Sequence, residues 1–198
     1  MSSIEPVSED YMISVFLKAE IESSRFRDSI ITTIKLLNTS TNIVLKPNIT
    51  SKQENIIRKE ILERTRCYIS KKELFVDFPS DFKWYLEEWD TKELLRDVQL
   101  INSPFWMEVT QNTRNALIGA KHIESNKTKN YAIFNSISKS IKCGEKFQPL
   151  ILVSDNTKYI VLEGHLRIIG YAMNLHALDK SLAVITGYSD KLKYWQSY

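Results

Sequence analysis

Apolar residues change their spacing at about Gln148, and the change divides the chain. Between Tyr11 and Leu37, the residues Val15, Phe16, Ala19, Ile30, Ile34 and Leu37 recur at helical intervals with charges between them. That spacing predicts one long or broken amphipathic helix. Residues 39–48 form a polar break containing Pro47, and "SKQE" (Ser51–Glu54) reads as a capping box, which predicts a second helix to about Arg66. The stretch that follows holds Pro79 and the aromatics Phe78, Phe82, Trp84, Tyr85 and Trp89, an expected docking surface between the two halves. Beyond Ser103 and Pro104 the pattern predicts a short element, a loop and a helix. "YAIFNSISKSIKCG" predicts a further helix stopped by Gly144.

From Gln148 the period shortens. "QPLILV" and "KYIVLEG", rich in β-branched residues and separated by the turn-like "SDNT", predict two adjacent strands. "HLRIIGYAMNL" returns to helical spacing, and "LAVITGY" predicts a last short strand. The expected fold is α+β: a small mixed sheet with helices over residues 101–198, and a helical N-terminal region, residues 1–100, packed on it. All five glycines lie from Gly119 onward, in keeping with two halves built differently.

Composition narrows the function classes. A net charge of +3 from 27 basic and 24 acidic residues gives no strong electrostatic footprint for nucleic acid, while leaving room for a local basic site. Hydrophobic content of 43% with 26% charged residues is that of a soluble globular protein. Cys67 and Cys143 have neither CxxC nor Cys/His spacing, so no zinc site or disulfide framework is expected, and Cys143 reads as a buried structural thiol. "MSSIEPVSED" lacks the features of a signal peptide, and no apolar run approaches the ~18 residues of a membrane span. A cytoplasmic protein with no membrane partner is expected.

The chemistry concentrates in Glu163, Gly164, His165 and Arg167, where the second predicted strand gives way to a helix. A helix N-terminus offers free N–H groups to an anion, glycine admits a ligand close to the backbone, and arginine adds forked donors. Two readings compete. In one, Glu163 and Arg167 form an i,i+4 ion pair and His165 is a surface or core histidine. In the other the box is a phosphate site, and Glu163 meets a sugar hydroxyl, a metal ion or a proton. Upstream, Glu22, Arg25 and Ser29 fall on neighbouring helical turns, as do Glu20 and Ser24. Intrahelical pairing is the plainer reading there, and a helical cap over the pocket the sharper one.

Gly144, Gln148, Pro149, Leu150, Tyr159, Glu163, Gly164, His165, Arg167, Tyr171 and Ala172 together resemble the core of the ParB/sulfiredoxin superfamily, over roughly residues 105–188. The resemblance implies a box that cradles the phosphates of ATP or CTP, with Mg2+, and places Gly164, His165 and Arg167 at the phosphates. It puts Glu163 at the acidic position of the kinase-like members, and Glu163 and Glu108 are the candidate catalytic carboxylates. Thr113 and Arg114, in "TQNTR", fall where such domains bring an arginine toward the same pocket. The sulfiredoxin cysteine has no counterpart in "GHLR", so sulfinic acid reduction is not expected. The implied activity is nucleotide hydrolysis or phosphoryl transfer to a small hydroxylated acceptor. The alternatives are a DNA-binding or nuclease-like protein, and a non-catalytic nucleotide sensor with a protein partner.

Overall fold

The computed structural model describes residues 4–126 and 131–198. Serine caps start the first helices. Ser8 Oγ accepts the Tyr11 amide at 3.1 Å to open α1 (Glu9–Glu22), which ends at Ser23 before α2 (Arg27–Leu36), so the predicted helix is the broken one. After the short α3 (Asn42–Leu45), Ser51 Oγ accepts the Glu54 amide at 3.3 Å and starts α4 (Lys52–Arg66). Only half of the capping box forms. Glu54 turns its carboxylate to the Asn48 amide (3.1 Å) and to Arg58 (2.9 Å) instead of back to Ser51.

One mixed sheet of six strands organises the described chain: β1 (Ile4–Val7), β2 (Lys83–Asp90), β3 (Val98–Gln99), β4 (Leu150–Ser154), β5 (Tyr159–Glu163) and β6 (Ser181–Tyr188), in the order β1-β2-β6-β4-β5-β3. β4 pairs antiparallel with β5, as the "SDNT" turn predicts: Asp155 Oδ1 accepts the amides of Thr157 and Lys158 at 2.9 and 3.0 Å. The β4–β6 and β3–β5 pairs are parallel. The remaining helices are α5 (Thr91–Asp97), α6 (Pro104–Val109), α7 (Ala116–Asn126), α8 (Tyr131–Lys142) and α9 (His165–Ala172).

Every residue of β4 is buried, because both faces of the sheet are covered. Ile151 and Val153 face a core shared with α1 to α4, containing Phe16, Ile61 and Phe75; Leu150 and Leu152 face a second core with α5 to α9, containing Phe134, Ile168 and Ile169. The architecture is α+β, with two helical layers around one sheet. The boundary expected at residue 100 therefore does not part helices from sheet, since β1, β2 and β3 lie on its N-terminal side. Cys143 is exposed, where a buried thiol was expected, because it follows the last turn of α8 beside Gly144, whose φ of +76° ends the helix. Among the described residues no helix is long and apolar enough to cross a membrane.

Candidate functional site

The C-terminal ends of α1 and α4 lie within electrostatic reach of the junction of β5 and α9, so that residues far apart in sequence act on one another. Gly164 makes the turn from strand to helix with φ of +102°, a left-handed conformation that glycine adopts without the clash a side chain brings. A Cβ at this position would lie 2.3 Å from Leu150 Cδ2 and 3.0 Å from an Arg167 Nη2. The bare backbone thus gives space to this chain's own arginine.

Arg167, 7% exposed, donates to the carbonyl of Gln148, to that of Pro149 at 3.3 Å, and to the Glu163 carboxylate four residues earlier. The i,i+4 pair of the plainer reading is present, and it is buried: the Glu163 side chain is only 15% exposed. Desolvation pushes the Glu163 carboxyl above its usual range against the opposing pull of Arg167 and Arg66.

His165 stacks on Trp106 of α6, with ring centroids 5.2 Å apart and planes inclined by 17°. Its Nε2 is buried with no partner. Burial first, then the nearby Arg66 and Arg167 charges, lower the imidazole pKa to about 3, so the ring is neutral across the physiological range.

The helical half supplies the remainder. Glu20, in the last turn of α1 and 4% exposed, binds Arg66 at the end of α4 through Oε1, and its Oε2 is buried without a partner. The Arg66 guanidinium lies over the Phe26 ring at 4.3 Å and that of Phe16 at 5.6 Å. Desolvation raises the Glu20 pKa to about 8 despite Arg66, with Glu163 adding to the rise and Arg25 and Arg167 opposing it. Two guanidiniums thus face two carboxyls whose pKa values desolvation raises.

Stability should report these two groups with opposite signs. Glu20 binds its proton more tightly in the folded state, so its contribution is complete below pH 4.5 and lost as pH rises to about 8. For His165 the contribution is complete above pH 6.5 and lost as pH falls to about 3. In urea titrations, wild type should therefore lose ground to Glu20→Gln between pH 5 and 8. A constant difference between them across that window would show that Glu20 is not buried in this way.

The remaining candidates make other contacts. Thr113 Oγ1 donates to the Thr110 carbonyl at 2.6 Å and shapes the loop before α7. Arg114 donates through Nε to the Leu100 carbonyl at 2.6 Å, tying that loop to the chain after β3. Glu108 is exposed on α6, whereas its neighbour Trp106 is the α6 residue that reaches the box. The pairing of Glu22, Arg25 and Ser29 gives way to other contacts: Ser29 donates to the Phe26 carbonyl, and Arg25 stacks over the Phe26 ring at 4.7 Å. Arg66 and Trp106 carry no local signal that marks them for this site, whereas Glu20 lies in the segment whose sharper reading is a helical cap. A glutamate and an arginine 46 residues apart share no helical or strand spacing.

The cavity nearest in sequence to these partners, lined by Gln148, Pro149, Leu150 and Tyr171, has a volume of about 90 Å³. That is smaller than the roughly 300–1,000 Å³ of pockets for small molecules. Among the described residues no group of three or more metal-binding side chains is gathered. No protein-family model, curated protein or solved structure matches the chain.

Proposed function

We propose that this protein binds the phosphates of ATP or CTP at the N-terminus of α9, with the ends of α1 and α4 closing over them. The observation that carries the reading is the largely buried group of Arg66, Arg167, Glu20, Glu163 and His165, holding two polar atoms without partners. Buried polar groups are satisfied in almost all native structures, so these two atoms favour a ligand that brings a hydroxyl donor, while the helix start and the arginines suit its phosphates. The resemblance of the box to nucleotide-binding domains supplies the ligand class. Mg2+ enters with the phosphates, which hold it through their own oxygens.

Phosphoryl transfer to water or to a small hydroxylated acceptor is the chemistry such a site serves, since it asks chiefly for positioning and charge stabilisation. Glu163 acts by holding Arg167 in place. The lone pair at His165 Nε2 is the acceptor available to a hydroxyl proton, and the negative charge of the phosphates offsets the two arginines that depress its basicity.

A thermal-shift panel of ATP, ADP, CTP and GTP, with and without Mg2+, tests the reading. One nucleotide should raise the melting temperature by several degrees in wild type and by less in His165→Gln. If millimolar concentrations of all four leave wild type unshifted, the chain is not a nucleotide-binding protein of this kind.

A further inference from the structure

Arg66 and Glu20 lie outside the box, at the ends of α4 and α1, and pair with each other there. We propose that Arg66 is a ligand-binding residue for the phosphates and that Glu20, to which its guanidinium donates, competes with them, so that ligand entry exchanges the carboxyl partner of Arg66 for a phosphate. This rests on the phosphate reading of the site and adds a gate to it.

The geometry carries the proposal. Arg167 spends its guanidinium on Glu163 and two backbone carbonyls, so it is not free to turn to a ligand without giving up contacts within the fold. Arg66 has one carboxylate partner and two aromatic rings, Phe16 and Phe26, which hold its plane while leaving its donors available. Glu20 Oε2 is without a partner in the same cluster, so the carboxyl that must yield is poorly held. The groups facing Glu20 are Arg66 from α4, Arg25 from the α1–α2 turn, and Glu163 and Arg167 from the box.

Protonation weakens Glu20 as a competitor, and its pKa of about 8 sets the range. Calorimetric titration with magnesium–ATP and magnesium–CTP at pH 7.5 and pH 9 tests the exchange, because the nucleotide's own charge is unchanged between them. Wild type should bind about tenfold more weakly at pH 9, and Glu20→Gln should change by less than about twofold. Arg66→Gln should bind at least about tenfold more weakly than wild type at both values. Equal wild-type affinity at the two pH values, or wild-type affinity in a folded Arg66→Gln, would overturn the gate and leave the box reading standing. Absence of binding by both wild type and Glu20→Gln would overturn the site reading and the gate with it. Should Arg66→Gln fail to fold, the comparison of wild type with Glu20→Gln still decides.

Discussion

Arg167→Ala should cost about 3–5 kcal/mol of folding stability, because it leaves a buried carboxylate without its cation. Seen in the sequence alone, an arginine in the first turn of a helix is dispensable to the core. Its burial at 7% exposure and its bonds to Gln148, Pro149 and Glu163 make it a fastener between α9 and the entry to β4. Glu163, already pushed toward its neutral form, takes up a proton when Arg167 is gone, so the loss should shrink at low pH. Chemical denaturation at pH 5 and pH 8 measures both features. A folded, undiminished Arg167→Ala would mean that the arginine is free for ligand and that the pair with Glu163 is not a structural contact. The loss also makes this variant a poor probe of binding, which is why Arg66 and His165 serve instead.

Gly164→Ala should cost about 2–4 kcal/mol, the sum of a left-handed backbone and a clash. The added methyl would meet Leu150 Cδ2 at 2.3 Å and crowd the Arg167 guanidinium at 3.0 Å. The two causes separate in a double-mutant cycle. Adding Leu150→Ala removes the clash but not the backbone strain, so the pair should cost less than the sum of the single changes. Additive losses would show that backbone conformation alone demands glycine here. In either case Gly164 first serves the seating of Arg167, and a ligand approaches a backbone already shaped by that contact.

The elements after Gln148 were legible in the sequence because they are locally consistent: β-branched runs for β4, β5 and β6, and helical spacing for α9. β2 was not. "KWYLEEWD" reads as part of an aromatic docking surface and shows no strand period, yet it pairs with β6 and buries Glu87, to which Trp89 Nε1, Thr186 Oγ1 and Tyr188 OH donate at 2.8–2.9 Å. Two of those donors come from β6, nearly a hundred residues later, and only the pairing of the two strands brings them there. β1 contains Pro6, and β3 has two residues, so neither shows a strand period.

The site divides in the same way. Glu163, Gly164, His165 and Arg167 could be singled out by the break from strand to helix. Thr113 and Arg114 resembled site residues by their place in the chain, but their side chains secure a loop. Glu20 and Arg66 come together only through the packing of α1 against α4, which also brings Arg66 within electrostatic reach of Glu163. The fold makes that contact, and no local pattern announces it.

Amide hydrogen exchange with and without magnesium–nucleotide tests most directly the claim that phosphate binds where the helical cap meets the box. The account predicts slower exchange on binding in three separate segments: residues 19–27, residues 64–68 and residues 163–168. Protection confined to the loop around Thr113 and Arg114, or none in the segments at the ends of α1 and α4, would contradict it.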